Sequence, residues 1–522
     1  MTASIEINDR FRSALDILEN TNKSVFITGK AGTGKSTLLS YYRGETRKKV
    51  VVLAPTGVAA LNVKGQTIHS FFGFKPNITQ QSIRQIKSDR ETVYQKLETL
   101  VIDEVSMVRA DLLDCIDRFL RLNGPLPGRP FGGVQMAFVG DLYQLPPVVT
   151  SQERAVFQSL YRTPYFFSAT ALSSLEMEFV ELEKIYRQHD GRFIEFLNAI
   201  RNRTVDGEGL DYINGRYDPE YEPEPGSMFI YLTTTNSMAD EINERQIKRL
   251  KGRVRSFAGE IEGEFGKEYL PTGTMLKVKK GAQVMMLNND SYGRWVNGSV
   301  GRITGFGKDE DGGEIIKVEL ADSEEAEVSP YTWEIFRYFV EEGQIKSEVV
   351  GAFTQYPLML AWAVTIHKAQ GKTFDRAIID IGRGTFAHGQ MYVALSRCTS
   401  LDGLVLKKPV EMKHIWMDRA VVDFMTGFQY RRAEKECPVE SKISIIEQAI
   451  KDETDLEITY LKPDDTKSRR VVRPLKVGEF AYAGKTFTGL RAFCRMRNGE
   501  RSFRIDRILE LKIIGAGTRT DD

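Results

Sequence analysis

Cysteine is scarce in this chain. Its 522 residues hold four, Cys115, Cys398, Cys437 and Cys494, scattered with no C-x-x-C pair. That spacing excludes a disulfide framework and a cysteine-built zinc site, and it fits a reducing compartment. Net charge is equally sparse, with 72 Lys and Arg against 71 Asp and Glu. A polyanionic partner would therefore be held by local basic patches and not by the summed field. No stretch reaches the ~18 consecutive apolar residues of a membrane span, and residues 1–20 lack an apolar signal core. No internal repeat or low-complexity tract is present. The expectation is a soluble, cytoplasmic protein with four free thiols and no membrane partner. What the chain does have is length, which at roughly 150 residues per domain predicts three or four units.

The segment Gly29-Lys30-Ala31-Gly32-Thr33-Gly34-Lys35-Ser36 is a complete G-x-x-x-x-G-K-[ST] phosphate loop, set between the apolar run Val25-Phe26-Ile27 and the helix-forming Thr37-Leu38-Leu39. Glycines let backbone N–H groups close around phosphates, Lys35 brings a charge to the β- and γ-phosphates, and the Ser36 hydroxyl suits Mg²⁺. The positive end of the following helix faces the anion. A nucleoside triphosphate is the implied ligand.

Apolar runs at Ser24–Thr28, Val50–Ala54, Thr99–Asp103 and Gln135–Gly140 alternate with helical patterns, which predicts buried parallel strands in an α/β core. The stretch from Phe71 to Gln95 is polar and aromatic by turns and reads as a small insertion. Alternation resumes after about Ser168, with a helix over Phe193–Arg203, a strand over Phe229–Thr233 and a helix over Ser237–Leu250, so a second α/β domain is expected. From Gly281 to about Phe353 short β-like runs are separated by turn clusters such as Asp309-Glu310-Asp311-Gly312-Gly313, and a small barrel-like insert fits. The α/β pattern returns at Ala361–Lys368, Arg376–Ile381 and Gln390–Arg397. The charged, proline-bearing stretch Ala433–Glu440 reads as a linker to a tail domain.

Val101-Ile102-Asp103-Glu104 ends a strand in two carboxylates, which suits Asp103 to Mg²⁺ and Glu104 to polarising an attacking water. Gln144, in Leu142-Tyr143-Gln144-Leu145-Pro146-Pro147, is a candidate γ-phosphate sensor; a proline-stiffened loop is the plainer reading. Arg187 and Arg397 are assigned to the second α/β domain, where arginines facing a cleft could stabilise a transferring phosphoryl group. Spacing alone does not single them out.

The ordered series Gly29–Ser36, Ala54-Pro55-Thr56-Gly57-Val58-Ala59-Ala60, Thr67-Ile68-His69-Ser70-Phe71, Asp103-Glu104-Val105-Ser106-Met107, Phe131-Gly132-Gly133-Val134-Gln135, Gly140–Pro147, Tyr186-Arg187-Gln188, Thr365-Ile366-His367-Lys368-Ala369-Gln370-Gly371 and Tyr392-Val393-Ala394-Leu395-Ser396-Arg397 resembles the motif set of Pif-type (petite integration frequency) DNA helicases, RecD-related members of superfamily one, subgroup B. The likeness covers residues 20–430. It implies an α/β fold of two RecA-like P-loop domains: 1A over 1–180 with a wedge insertion at about 71–95, and 2A over 181–280 and 354–432. A Src-homology-3-like β-barrel, 2B, would occupy 281–353.

The resemblance also implies ATP-dependent 5′→3′ translocation on single-stranded DNA, with unwinding of duplex, fork or G-quadruplex DNA by a monomer in the bacterial cytoplasm at the nucleoid. Repair, recombination and telomere maintenance are the family's settings. Lys35, Asp103, Glu104, Gln144, Arg187 and Arg397 would be catalytic, with Ser36 and Asp103 at Mg²⁺. Gly29, Ala31, Gly32, Thr33, Gly34, Lys35, Ser36, Thr37 and Gly371 would bind nucleotide. The strand track would comprise Pro55, Thr56, Gly57, His69, Phe71, Phe72, Thr365, His367 and Lys368. Hydroxyl and N–H donors there suit phosphates, and His69, Phe71 and Phe72 suit base faces. Without the motif match the plainer reading is that His69 and His367 are structural histidines and that Phe71 and Phe72 are packed core. Members often carry an adenine-reading glutamine upstream of the phosphate loop; residues 1–22 hold none, and Asn8 is the candidate substitute.

Between Asp465 and Arg507 lie twelve Lys or Arg and four Asp or Glu, interleaved with aromatics. The tail, 441–515, is similar to WYL domains through Ile458-Thr459-Tyr460-Leu461, Arg473-Pro474-Leu475 and Phe503-Arg504-Ile505-Asp506-Arg507-Ile508, with Thr459 where the naming tryptophan stands. Arg491, Arg495, Arg497 and Arg504 are its candidate phosphate contacts; a solvated basic face is the plainer reading. Alternatives to the helicase are an ATP-gated nucleic-acid-binding regulator that does not unwind, and a motor acting on RNA.

Overall fold

The structure is a computed structural model that describes residues 7–514, apart from 76, 88–91, 151–152, 225, 321–323, 343 and 483–484. The ends of the expected 1–180 and 441–515 domains, Pro76 of the aromatic run and residues 88–91 of the wedge therefore lie outside the described residues. The chain divides into two compact units, Met1–Arg201 with Val205–Trp416, and Asn202–Thr204 with Met417–Asp522.

The first unit begins with a six-stranded sheet in the order Gln66–Thr67, Val50–Ala54, Thr99–Ile102, Gln135–Val139, Ser24–Gly29, Met177–Leu182. All neighbours pair in parallel. The strands are near-continuous apolar runs because helices cover both faces of such a sheet. Val25, Ile27, Val52, Val101, Ala137 and Val139 pack in one cluster with Leu38 and Leu39 of the helix Lys35–Glu45. The phosphate loop thus leaves the carboxyl end of an inner strand, where open α/β sheets bind ligands. A second, four-stranded parallel sheet runs Ala363–Thr365, Ile230–Thr233, Ala377–Asp380, Leu404–Leu406.

A β-rich insert interrupts this second lobe. Its five-stranded sheet runs Glu325–Val328, Glu314–Leu320, Val300–Lys308, Gln283–Met286, Leu358–Leu360. Its apolar core already takes in Phe257, Leu276 and Val278 and continues to Leu358, so the insert is wider than the 281–353 expected. A long hairpin, Tyr331–Glu341 with Gln344–Gln355, pairs with Glu260–Gly263. It touches the first lobe, where Gln66 Nε2 donates to Phe336 O and the Tyr338 ring meets Phe71.

The expected wedge is anchored by its aromatics. Phe71 and Phe72 are 6% and 4% exposed and interlock with Phe74, Tyr94 and Phe119. Their assignment to base faces is overturned: rings closed in on this many sides are packed core.

In the second unit the stretch Ala433–Glu440 is not a linker. It is the end of the helix Arg419–Glu436, a break at Cys437 and Pro438, and the start of the helix Val439–Lys451. The chain's division falls earlier, after Trp416. Five antiparallel strands follow in the order Gly499–Arg504, Lys485–Cys494, Lys467–Tyr482, Asp455–Leu461, Ile508–Ile514. Ile446, Ala449, Leu456, Ile458, Leu490 and Phe503 share their core. The ladder skips a residue between Pro474 and Lys476, as a strand proline requires.

Candidate nucleotide site and strand track

The phosphate loop is shaped by two glycines in the left-handed region, Gly32 at φ +80° and Gly34 at φ +86°, which a side chain would strain. Space forbids one at Gly32 as well, since an added Cβ would lie 2.6 Å from Arg187 Cβ. Thr33 Oγ1 donates to Lys30 O at 2.9 Å and tightens the turn. Lys35 Nζ donates to Gly29 O at 2.7 Å and Lys30 O at 3.0 Å, so the ammonium is held over the loop, and burial lowers its pKa. Ser36 and Thr37 are exposed at the first turn of the helix.

Asp103 and Glu104 follow the strand Thr99–Ile102. Burial, then the neighbouring Glu104 charge, pushes Asp103 up to about 7. Glu104 is also raised by burial, against the pull of Lys35 and Arg397. Its backbone is left-handed at φ +48°, ψ +43°, a conformation costing a non-glycine residue about 1–3 kcal/mol and typical of functional turns. Among the described residues no group of three or more His, Cys, Asp or Glu is placed to hold a metal ion. The donors here, a serine hydroxyl and carboxylates beside a phosphate loop, are hard oxygens. They fit Mg²⁺ that arrives with a triphosphate and keeps much of its water.

Groups from the second lobe meet this site directly. Gln370 Nε2 donates to Glu104 Oε2 at 3.1 Å and to Gln144 Oε1 at 3.2 Å. The Ala31 N–H donates to the Tyr392 hydroxyl at 3.0 Å. Arg397 is 1% exposed and donates to Val393 O, Lys372 O and Ser396 Oγ. Burial and the nearby Arg187 bring its pKa down to about 9. Gly371, next to Gln370, is in the left-handed region at φ +79° with open space around it.

Arg187 needs a correction. It does not reach in from the second lobe, because Tyr186 N–H donates to Gly32 O at 2.9 Å and seats Arg187 on the first lobe's phosphate loop. Its Nη1 donates outward to Ser396 O at 3.2 Å, and Gln188 Nε2 donates to Ser396 O and Cys398 O. Arg187 and Arg397 therefore approach from opposite lobes and share the Ser396 turn. Asn8 is also spent elsewhere: its Oδ1 accepts from Phe11 N–H to cap the helix Asp9–Asn20, and its Nδ2 donates to Tyr186 Oη.

Sequence reasoning gave no role to Gln370 or Tyr392, although both stand inside quoted motifs. It also missed the ion pair of Arg201 Nη2 with Asp141 Oδ1, at 3.3 Å and almost wholly buried, beside the Tyr143 ring. Only the three-dimensional approach of the lobes marks these residues.

Of the expected track, Pro55, Thr56, Gly57 and His69 line one cleft of about 1870 Å³ on the first lobe. Thr56 Oγ1 accepts from Ala59 N–H and caps the short helix Gly57–Asn62. Gly57 has no room for a side chain, since an added Cβ would lie 2.2 Å from Glu268 O. Burial lowers the His69 and His367 pKa values, which keeps both imidazoles neutral near pH 7. Arg118, exposed on the same cleft wall, is a cation that motif reasoning passed over. On the second lobe Thr365 Oγ1 accepts from Lys368 N–H, while the Lys368 side chain is exposed.

In the tail, Arg495 pairs with Asp455 and Arg504 with Asp506. Arg491 lies over the Phe480 ring, and Arg497 is exposed on the turn Arg495–Arg497. Two of the four expected phosphate contacts thus already have a carboxylate partner, and Arg495 shares its own with Arg473.

A family model described as PIF1-like helicase matches residues 6–209, and one described as WYL domain matches residues 441–513. The ATP-dependent DNA helicase Pif1 of Bdellovibrio bacteriovorus is 32% identical, over 77% of this chain and 88% of its own length. The crystal structure of Bacteroides sp Pif1 in complex with ADP-AlF4 is 36% identical with a TM-score of 0.75, over 82% of this chain and 98% of that one. Pif1 helicase from Bacteroides in complex with ADP-AlF3 and ssDNA is 35% identical with a TM-score of 0.59, over the same shares. Several curated relatives are longer, and the chain spans 62% and 58% of two of them. With this extent of likeness and the same two RecA-like lobes around one phosphate loop, the chain belongs to the PIF1-like helicase family.

Proposed function

We propose that this protein is an ATP-dependent DNA helicase that translocates 5′→3′ on single-stranded DNA and unwinds duplex, forked or G-quadruplex DNA. It would act as a monomer in the bacterial cytoplasm, at the nucleoid, with the WYL-like tail assisting DNA binding or regulation. The observation that carries the reading is Gln370 of the second lobe bonded to both Glu104 and Gln144 of the first. Hydrolysis chemistry and lobe closure share one set of hydrogen bonds. Related structures with a nucleotide analogue and with ssDNA support it.

In this reading Lys35 and the loop amides bind the phosphates, and Ser36 with Asp103 would hold Mg²⁺, which supplies charge neutralisation. Glu104, as a carboxylate, orients and deprotonates the attacking water. Arg187 and Arg397 close on the γ-phosphate from the two sides, so charge developing there favours the closed lobes. Release of phosphate removes that attraction and reopens the cleft. A strand gripped by Thr56 and His69 on one lobe and by Thr365, His367 and Lys368 on the other is then moved in steps.

The test is unwinding of duplexes with a 5′ or a 3′ single-stranded overhang, run in parallel with DNA-stimulated ATP hydrolysis and with RNA tracking strands. Activity from the 5′ overhang on DNA is expected. Activity only from the 3′ overhang overturns the polarity. Absence of DNA-stimulated hydrolysis overturns the motor in favour of an ATP-gated binding protein, and stronger activity on RNA overturns the substrate.

A further inference from the structure

One exposed aromatic has no part in the site described so far. Phe386 stands in the loop between the strand Ala377–Asp380 and the helix Gln390–Leu395, and it is 56% exposed. Scattered exposed apolar residues are ordinary, so exposure alone carries nothing. Two further observations set this one apart.

First, the loop is held firmly. Phe386 N–H donates to Gln390 Oε1 at 3.0 Å, Thr385 Oγ1 donates to His414 O at 2.9 Å, and Gly389 N–H donates to Trp416 O at 3.1 Å. A ring presented by a fixed backbone loses little freedom when it binds something. Second, the Phe386 ring lies nearly parallel to the His367 imidazole, 13° between planes and 6.2 Å between centroids. His367 sits in the Thr365–Lys368 segment, whose exposed Lys368 ammonium is available to a phosphate.

We propose that Phe386 is a base-stacking residue which, with His367, forms a sequence-tolerant platform for an unpaired base on the second lobe. Aromatic faces bind any base through its π-face, and the neighbouring lysine supplies charge for the backbone. The platform is also tied to the nucleotide site. At Gly389 the loop presses so close to the turn Tyr143–Gln144 that an added Cβ would lie 2.2 Å from Tyr143 O and 2.6 Å from Gln144 O. A shift of Gln144 as the lobes close is therefore transmitted to the loop that carries Phe386, and grip on the base follows the state of the triphosphate.

The inference rests on the reading of the chain as a single-strand DNA motor. The experiment is fluorescence anisotropy with labelled oligothymidine and with an abasic sugar-phosphate oligomer of equal length, on wild type, Phe386→Ala and Phe386→Trp. Phe386→Ala is expected to weaken oligothymidine binding by about 5- to 100-fold, the size of one lost base–aromatic stack. Phe386→Trp should restore it, and the abasic oligomer should bind wild type and Phe386→Ala alike. Unchanged oligothymidine affinity in Phe386→Ala, or an equal loss on both oligomers, overturns the proposal. A wild type that binds no single-stranded DNA overturns the motor reading instead.

Discussion

Gln370 Nε2 donates to Glu104 Oε2 across 3.1 Å, although the two residues are 266 positions apart in sequence. The same amide nitrogen reaches Gln144 Oε1. One side chain of the second lobe therefore holds both Glu104, proposed to polarise the water, and Gln144, proposed to sense the γ-phosphate, on the first. Gln370→Ala removes both bonds without adding charge. DNA stimulation of ATP hydrolysis is expected to fall at least ~10-fold, the cost of about 1.4 kcal/mol of coupling, while nucleotide affinity holds. Comparing hydrolysis rates with and without oligothymidine checks this, and intact stimulation would remove Gln370 from the coupling path.

Tyr392 stands where it would compete with a bound triphosphate for a loop amide. Its hydroxyl accepts from the Ala31 N–H, one of the loop amides suited to phosphate. A phosphate that takes this amide displaces the hydroxyl, so Tyr392→Phe should tighten nucleotide binding about 5-fold, matching a net hydrogen bond of about 1 kcal/mol. Titration with a fluorescent nucleotide reads it directly. Weaker binding would mean that Tyr392 chiefly holds the loop in shape.

These two contacts show what the amino-acid sequence conveys and what it does not. The phosphate loop and the strands Ser24–Gly29, Val50–Ala54 and Gln135–Val139 are legible because a doubly covered parallel strand is an apolar run and its loop is local. The ribbon strand Tyr331–Glu341 is not, since alternation of buried and exposed residues holds only over Thr332–Ile335 and is lost past the bulge between Ile335 and Phe336. Phe71 and Phe72 stand amid polar neighbours, so the sequence leaves both base stacking and core packing open to them. Their burial comes from Tyr94 and Phe119, which only the tertiary fold brings near. Tyr392 and Ala31 are 361 residues apart, and no spacing rule encodes such a meeting.

Asp103 makes stability depend on pH in a stated direction. Its pKa is raised from 3.8 to about 7, so the folded, nucleotide-free protein holds a proton that the unfolded chain has already lost. The stabilisation is full below the ordinary carboxylate range and is lost as pH rises through about 7. Wild type should melt lower at about pH 8 than at about pH 5.5, and Asp103→Asn, which cannot ionise, should show a smaller drop. Thermal unfolding of both proteins across that range decides it. In the same window Mg²⁺-nucleotide affinity should rise with pH, because in the proposed site it is ionised Asp103 that would hold the ion.

Arg201 and Asp141 form a buried ion pair, with side chains 2% and 0% exposed. Removing one partner strands a charge in the interior, which costs about 3–5 kcal/mol. Arg201→Ala should therefore lower the unfolding free energy of the first unit, read from its denaturant midpoint and slope, by an amount of that order. Replacing both residues by apolar ones should cost less than the single change, and equal losses would show that packing of Arg201 on Tyr143 dominates.

Glu104→Gln keeps the size of the side chain and can still accept from Gln370, but it removes the base. General-base catalysis contributes about 10²- to 10⁴-fold, so hydrolysis should fall by that range and unwinding with it. Single-strand binding should survive, because the cleft formed by Pro55, Thr56, Gly57 and His69 does not include Glu104. Burial raises the Glu104 pKa, so the wild-type rate should decline as pH falls toward that raised value, whereas the residual Glu104→Gln rate should lack this ionisation. Rapid-quench hydrolysis and strand-displacement assays on the two proteins check both halves. A variant that unwinds at the wild-type rate would remove Glu104 from the water-activating role and shift attention to Asp103.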